Sequence, residues 1–200
     1  MDAIRAFIAV DLSEELRREL DNITQRLQER CAALGGEKAR KAVRWVPAAN
    51  SHLTLKFLGE VSTGNLQSLA RMLKSEARLH APFEVQINGL GGFPNLRRPR
   101  VIWVGSETSP ALISLQHAIE AETRALGYPS EERAFSPHLT LGRISQGASP
   151  QDATVVAQAL ASENIGSLGS ICVDRVYLFR SELRPAGAIY SALQTFPLGN

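Results

Sequence analysis

The tetrapeptide HLTL occurs twice in the chain, within SHLTLKFLGE (51–60) and again within PHLTLGRISQ (137–146). Polar and apolar residues alternate in both copies, and this period of two predicts a β-strand with one buried face. Alternate side chains share a face, so His52 and Thr54 point one way, as do His138 and Thr140. The opposite faces carry apolar side chains, namely Leu53, Leu55, Phe57, Leu139 and Leu141. Each copy therefore presents an imidazole beside a hydroxyl on a strand anchored in the core.

An imidazole and a hydroxyl on one face can serve an anionic substrate. Imidazole accepts or donates a proton near neutral pH, and a threonine hydroxyl can donate a hydrogen bond to an anionic oxygen. Two such pairs facing each other suit in-line displacement at phosphorus, in which the nucleophile enters opposite the leaving oxygen. A single H-x-T in a strand is more often structural, because Thr is simply a good strand former. The repetition is what favours a functional site, and the other histidines, His80 and His117, fall at the end of and within predicted helices.

The composition is that of an ordinary globular chain. Its 200 residues are 44% hydrophobic and 21% charged, with a net charge of +2 at pH 7, so any anion site must be local. The N-terminus contains acidic residues and only a short apolar run, unlike a signal peptide, and no stretch has the length of a membrane helix. Cys31 and Cys172 lack metal-ligand spacing and are expected to be free thiols. We expect a cytoplasmic protein.

Patterning along the chain predicts four helices among short strands. Amphipathic spacing, serine N-caps and flanking glycines predict helices over 13–35, 62–79, 109–127 and 149–162. Gly35-Gly36 ends the first helix, and EKARKA (37–42) is predicted to be a solvated loop. Predicted strands cover 5–13, 43–46, 52–59, 83–93, 100–106, 138–144, 169–183 and 188–198, the last two forming a hairpin around RPAG (184–187). This order lacks the regular alternation of a doubly wound sheet and favours the α+β class, with antiparallel sheets covered by helices.

Four blocks of sequence that include the paired H-x-T motifs resemble one known family. The blocks are RAFIAVDLSEEL (5–16), RWVPAANSHLTLKFLGEV (44–61), FPNLRRPRVIWVG (93–105) and FSPHLTLGR (135–143). In order and spacing they look like the bacterial and archaeal RNA 2′,3′-cyclic phosphodiesterases, also called 2′–5′ RNA ligases, of the 2H phosphoesterase superfamily. The resemblance covers nearly the whole chain. It implies a single domain over residues 1–200 with two pseudo-symmetric lobes of antiparallel sheet, outer helices and a central cleft, each lobe contributing one H-x-T.

The resemblance also implies an activity and roles for named residues. The implied reaction is metal-independent hydrolysis of an RNA terminal 2′,3′-cyclic phosphate to a 2′-phosphomonoester, with no cofactor. His52 would donate a proton to the leaving 3′-oxygen and His138 would take a proton from water, although the residues alone do not say which is acid and which is base. Thr54 and Thr140 would hold the phosphate oxygens. The implied partner is an RNA with a cyclic phosphate end or a cyclic nucleotide, with no DNA and no membrane partner, and we expect a monomer.

Arg143 is a further phosphate-binding candidate that the resemblance implies, yet strict alternation places it on the leucine face. A bulge or bend at Gly142 would turn Arg143 to the cleft, and otherwise it is a surface or interlobe ion-pair residue. Lys56 has the parity of the site face, where a substrate contact and a solvated position are equally expected. Four arginines are additional candidates for a basic rim that binds the RNA backbone: Arg5, Arg97, Arg98 and Arg100. Phe7 and Trp45 could stack on a base, although core packing is the more common role for such residues.

Three alternatives to hydrolysis remain at this level. The same histidine pair could join a 2′,3′-cyclic end to a 5′-hydroxyl through a 2′–5′ linkage, with the acid and base roles exchanged. The fold could also act as a non-catalytic RNA-binding module, although the presence of both histidines argues against it. A metal hydrolase would need a third ligand near the histidines, and neither motif brings a carboxylate or cysteine at short spacing.

Overall fold

The computed structural model describes residues 2–184 and 187–199, which form four α-helices, two short 3-10 helices (Ala48–Asn50 and Thr63–Asn65) and nine strands. The helices are α1 (Glu14–Lys41), α2 (Leu66–Ala77), α3 (Pro110–Ala125) and α4 (Pro150–Ala161). The strands are β1 (Ala3–Val10), β2 (Val43–Trp45), β3 (Leu53–Ser62), β4 (Phe83–Phe93), β5 (Val101–Ser106), β6 (His138–Ile144), β7 (Ser167–Val173), β8 (Arg175–Arg184) and β9 (Gly187–Pro197).

The strands form two antiparallel sheets whose members are interleaved along the sequence. The first sheet has the order β3-β1-β8-β9 and the second the order β2-β6-β5-β4-β7. Each sheet therefore combines strands from both halves of the chain. The first H-x-T lies at the start of β3 in one sheet and the second at the start of β6 in the other. The predicted α+β class, with one motif on each of two antiparallel sheets, is confirmed.

Helices cover one face of each sheet. α1 and α4 pack together against the second sheet, where α1 contacts β2 and β7, whereas α2 and α3 pack together against β3, β8 and β9 of the first. The buried stripe of α1 follows the predicted spacing of three and four through Leu16, Leu20, Ile23 and Leu27. Serine hydroxyls cap α1, α3 and α4 at their N-termini, as predicted for α1 and α3.

The end of α1 differs from the prediction. Gly36 interrupts the helix with φ 70° and ψ −169°, a conformation that favours glycine, but helical structure then continues to Lys41. The predicted solvated loop over 37–42 is therefore wrong. Ala39 and Ala42 are both buried in this turn, and apolar positions three apart are what a short helical segment needs to pack on the core.

The stretch 169–183 forms parts of two strands rather than one. β7 pairs with β4 in the second sheet, while β8 pairs with β1 and β9 in the first, so the chain crosses between sheets at Asp174. The buried residues Val173 and Val176 lie three positions apart at this crossing, which breaks the period of two. The predicted hairpin of β8 and β9 is confirmed, with Arg184 paired to Gly187; Pro185 and Ala186 of RPAG lie outside the described residues.

One apolar core lies between the helices and the two sheets, and it includes Cys31. Cys31 and Cys172 are both free thiols, as predicted, and burial raises the pKa of Cys31 to about 11. Across the described part of the chain, none of the helices combines the length and the hydropathy that crossing a bilayer requires.

Candidate active site

The two histidines occupy matching positions on β3 and β6. His52 immediately precedes β3 and His138 is the first residue of β6, and these strands approach each other where the two sheets meet. The motif leucines anchor both strands in the core, since none is more than 2% exposed: Leu53, Leu55, Leu139 and Leu141. The fold thus brings two imidazoles that are distant in sequence to the junction of the two sheets, the region called the cleft.

Both imidazoles are held in the same tautomer. Nδ1 of His52 lies 2.8 Å from the carbonyl oxygen of Asn50, and Nδ1 of His138 lies 2.7 Å from the carbonyl oxygen of Ser136. A carbonyl can only accept, so Nδ1 carries the proton in each neutral ring and Nε2 keeps its lone pair. Nε2 of either ring can therefore take a proton, or give one up after protonation.

Aromatic rings surround each imidazole. The ring centroid of His52 lies 4.6 Å from that of Phe7 and 5.1 Å, edge to face, from that of Tyr190. The ring centroid of His138 lies 4.9 Å, edge to face, from that of Phe93 and 6.2 Å from that of Trp103. These contacts fix the orientation of the imidazoles and remove part of their hydration.

Burial keeps both histidines neutral in the unliganded protein at neutral pH. Loss of hydration lowers the pKa of His52 to about 4, an effect opposed in part by the hydrogen bond to Asn50 and the charge of Asp11 and reinforced by His138 and Arg17. Burial likewise lowers the pKa of His138, and the charge of Arg143 lowers it further. A bound anion would raise both pKa values, since an opposite charge favours the protonated ring.

A β-bulge in β3 sets which side chains reach the cleft. Thr54 pairs with Ala9 of β1 and Lys56 with Ile8, which leaves Leu55 as the extra residue. Ala9 belongs to the small aromatic cluster below His52, separate from the main core. Thr54 therefore lies on the cleft face as predicted, whereas Lys56 and Phe57 have the opposite orientations from those that alternation predicts, until a second extra residue, Leu58, restores the alternation.

The second motif contains a bulge at the equivalent residue, the second leucine of HLTL. Thr140 pairs with Trp103 of β5 and Gly142 with Ile102, which leaves Leu141 as the extra residue of β6. The Trp103 ring lies beside His138, so Thr140 shares the face of the second imidazole. Each threonine thus lies on the same face of its strand as its histidine. In both strands, the residue that follows HLTL is the first to point to the opposite face from the one that alternation predicts.

Arg143 lies on the same face as His138 because of this bulge. It pairs with Val101, which is two residues from Trp103 and therefore on the same face of β5. The charge of Arg143 lowers the pKa of His138, in agreement with this placement. Of the two orientations that the sequence leaves open for Arg143, the structure has the one that faces the cleft.

Phe57 is the counterpart of Arg143 in the first motif, since each lies five residues after its histidine. Phe57 pairs with Phe7 on β1, its ring centroid lies 6.2 Å from that of Phe7, and it is 57% exposed. The predicted core orientation of Phe57 is therefore wrong, and the bulge is the reason. The cleft presents a guanidinium on one wall and a phenyl ring at the matching point of the other.

Lys56 points away from the cleft and is only 1% exposed. Its Nζ donates to Oε1 of Glu120 at 2.9 Å and to the carbonyl oxygen of Pro129 at 2.6 Å. Glu120 in turn accepts from the backbone N–H of Glu131 at 3.1 Å. Both expectations for Lys56, a substrate contact and a solvated position, are therefore wrong. Its ammonium instead ties β3 to α3 and to the segment that leads into β6.

The remaining predicted candidates divide between packing and the cleft rim. Phe7 is 3% exposed and Trp45 packs against the core, so both have the packing role. The four candidate rim arginines are exposed: Arg5, Arg97, Arg98 and Arg100. The rings beside the imidazoles that the sequence did not single out are Phe93, Trp103, Phe179 and Tyr190. They lie on neighbouring strands, so only the strand register could have placed them.

Within residues 2–184 and 187–199, His, Cys, Asp and Glu side chains nowhere form a group of three that could hold a metal ion. The functional groups that the described structure gathers at the cleft are two imidazoles, two hydroxyls and a guanidinium. This set can transfer protons and bind an anion.

The family model for LigT-like phosphoesterases matches the chain twice, over residues 10–103 and 104–190. Curated relatives are named RNA 2′,3′-cyclic phosphodiesterase. That of Methanothermobacter thermautotrophicus is 36% identical over 98% of this chain and 99% of its own. That of Thermotoga maritima is 32% identical over 95% of this chain and 93% of its own.

Solved structures agree over the full length. A crystal structure of a Thermus thermophilus protein has a TM-score of 0.76 at 29% identity and covers 98% of this chain and 100% of that chain. Escherichia coli LigT in complex with 3′-AMP has a TM-score of 0.73 at 26% identity and covers 100% of both chains. The similarity thus extends over both sheets and both motifs.

Proposed function

Because the chain belongs to the LigT-like phosphoesterase family, we propose that it hydrolyses the 2′,3′-cyclic phosphate at the end of an RNA to a 2′-phosphomonoester. The observation that supports this most directly is the pair of imidazoles, one from each sheet, that share one tautomer and lie at the starts of two contacting strands. A single cyclic phosphodiester needs one base and one acid on opposite sides of phosphorus.

The proposed reaction is one in-line displacement. Nε2 of His138 accepts a proton from water, and the water oxygen forms a bond to phosphorus as the bond to the 3′-oxygen breaks. The leaving 3′-oxygen takes a proton from Nε2 of His52. Thr54, Thr140 and Arg143 hold the non-bridging oxygens, whose charge grows in the transition state.

The charges around the two rings support this division of roles. After the dominant effect of burial, the hydrogen bond to Asn50 and then the carboxylate of Asp11 raise the pKa of His52 and favour its protonated, acidic form, whereas His138 and Arg17 each lower it by a smaller amount. The guanidinium of Arg143 lowers the pKa of His138 and thus favours its neutral, basic form. The proton on His52 is acquired as the substrate binds, because the phosphate anion raises a pKa that is about 4 in the empty cleft.

The test is hydrolysis of 2′,3′-cyclic AMP and of an RNA with a cyclic phosphate end. His52→Ala and His138→Ala should each lower kcat by about 10²–10⁴-fold, the usual contribution of a general acid or base. The matched control is His117→Ala, which removes an exposed imidazole from α3 and should keep full activity. Circular dichroism checks that the variants are folded.

The same assay separates the alternatives. Full activity in EDTA is expected, and loss of activity in EDTA would indicate a metal hydrolase. A 3′-phosphomonoester as the product would contradict the assignment of the leaving oxygen. Addition of an RNA with a 5′-hydroxyl shows whether ligation competes with hydrolysis. Near-normal turnover by either histidine variant would overturn the two-histidine mechanism.

We also infer a single domain of two related lobes that acts as a monomer in the cytoplasm. Support for related lobes comes from the bulge that both motifs share, one in each sheet. Support for a monomer comes from the site, since one chain supplies both histidines. Light scattering in solution tests the oligomeric state.

A further inference from the structure

Arg44 lies directly opposite Arg143 on neighbouring strands. β2 pairs antiparallel with β6, and the register places Arg44 against Arg143. Val43 is buried and Trp45 packs on the core, so Arg44 between them points to the other face, the one that Arg143 shares with His138. Two guanidinium groups therefore stand side by side at the edge of the cleft.

This arrangement is unfavourable without an anion. Like charges directly opposite each other on paired strands destabilise a sheet. Among the residues that the structure describes, neither arginine has an ion-pair partner. The first sheet shows the contrast, because its cleft-face arginine, Arg5, lies opposite Glu60 of β3.

Only one of these arginines is needed for the reacting phosphate. Arg143 interacts with His138, whereas Arg44 is one strand farther out, at about 5 Å in the direction of strand pairing. An RNA end has a second phosphate, in the phosphodiester on the 5′ side of the terminal nucleotide, which a cyclic mononucleotide lacks. A guanidinium binds such a phosphate through charge-assisted, often bidentate hydrogen bonds.

We propose that Arg44 binds the phosphodiester that precedes the terminal nucleotide and so makes the enzyme prefer an RNA end to a 2′,3′-cyclic mononucleotide. This inference rests on the proposed function, of which it specifies the substrate. The lobe that carries Arg44 also carries the exposed arginines of the β4–β5 connection, Arg97, Arg98 and Arg100, so the RNA strand leaves the cleft over this basic side.

The test compares kcat/KM for 2′,3′-cyclic AMP with that for a dinucleotide ending in a 2′,3′-cyclic phosphate. Arg44→Gln should lower kcat/KM for the dinucleotide by about 10–100-fold, as for the loss of a hydrogen bond to a charged group, and leave the mononucleotide unchanged within about twofold. A dinucleotide with a neutral methylphosphonate at its internal linkage should be turned over equally by the wild type and by Arg44→Gln. The matched control is Arg71→Gln on α2, an exposed arginine that hydrogen-bonds to Ser68 of its own helix and should leave both substrates unaffected.

An equal loss on both substrates would overturn the inference, since Arg44 would then act on the reacting phosphate or on the fold. Unchanged dinucleotide turnover, or a continued effect of Arg44→Gln on the methylphosphonate, would overturn it too. If the wild type hydrolysed neither the mononucleotide nor the dinucleotide, the proposed function itself would be refuted. Thermal melting of Arg44→Gln separates a folding defect from a binding defect, and removal of like-charge repulsion should leave its Tm equal to or above that of the wild type.

Discussion

Each histidine is oriented by the backbone carbonyl two residues before it, in Asn50 and Ser136, and not by a carboxylate. The orienting group therefore adds no formal charge near the ring, and its hydrogen bond raises the pKa of each imidazole by less than burial lowers it. Both imidazoles remain neutral until an anion arrives. A side-chain substitution at Asn50 or Ser136 leaves the backbone carbonyl in place, so it should not remove the hydrogen bond that orients the imidazole. Among single residues, the function therefore depends on the histidines themselves.

The low pKa of His52 predicts a pH dependence of stability. The unfolded chain binds a proton near pH 6.5, whereas the folded ring, because it is buried, does so only near a pKa of about 4. The contribution of His52 is thus fully present above pH 6.5 and is lost as the pH falls toward 4. Between pH 7.5 and 4.5 the wild type should lose about 2–3 kcal/mol more free energy of unfolding than His52→Gln does.

Urea unfolding at the two pH values measures this difference, with His117→Gln as the control because that exposed imidazole lies in α3. The control should follow the wild-type curve. Parallel pH dependence of His52→Gln and the wild type would show that His52 titrates normally in the folded protein.

At the scale of the element, the paired bulges decide what the sequence could predict. The faces of His52, Thr54, His138 and Thr140 follow from alternation, and the structure agrees. Alternation places the two residues after the first motif, Lys56 and Phe57, on the wrong faces because it does not register an extra residue in one strand. In the second motif the residue after HLTL is Gly142, and a glycine within a strand indicates a bend or bulge. In the first motif the corresponding residue is Lys56, which gives no such indication. A bulge belongs to a pair of strands, and the partner strand is not visible locally.

Gly142 has no room for a side chain. An added Cβ would lie 2.6 Å from Cγ1 of Val43 and 3.2 Å from Cε3 of Trp45, so β2 would have to move or the bulge would have to relax. Gly142→Ala should lower the free energy of unfolding by about 1–3 kcal/mol, as overpacking does. It should also reduce turnover, because the following residue, Arg143, depends on the bulge.

Thermal melting and kcat/KM of Gly142→Ala provide the measurement. Gly147→Ala is the matched control, since an added Cβ there has nothing within 4 Å. Wild-type stability and turnover in Gly142→Ala would mean that β2 yields freely and that the bulge does not depend on glycine.

At the scale of the whole molecule, neither sheet belongs to one half of the chain. The first sheet takes β1 and β3 from the N-terminal half and β8 and β9 from the C-terminal half. The element order predicted from sequence is correct except for the crossing at Asp174. The sequence pattern does not, however, predict which strands belong to which sheet. Allocation depends on which long-range pairings bury most apolar surface, and local periodicity carries no information on that choice.

Interleaved sheets predict cooperative unfolding. The two tryptophans, Trp45 and Trp103, both lie in the second sheet, so tryptophan fluorescence reports on that sheet while far-ultraviolet circular dichroism reports on the whole chain. The urea midpoints of the two signals should coincide. Some strands that follow each other in the chain, such as β7 and β8, belong to different sheets, so unfolding of one sheet also releases the ends of strands in the other. A separate tryptophan transition would mean that one sheet is stable alone.

The shared bulge also bears on which of two isomers the enzyme releases. A cyclic phosphate is nearly unchanged by a half-turn that exchanges its 2′- and 3′-oxygens, and two walls with the same His-x-Thr pattern could accept either pose. The walls differ where the bulges turn Phe57 and Arg143 toward the substrate. Phe57→Arg should therefore yield a mixture of 2′- and 3′-phosphomonoesters, resolved by chromatography, whereas a single isomer would place the choice elsewhere. Regiochemistry would then be determined at a cleft-facing position where the two repeats carry different side chains.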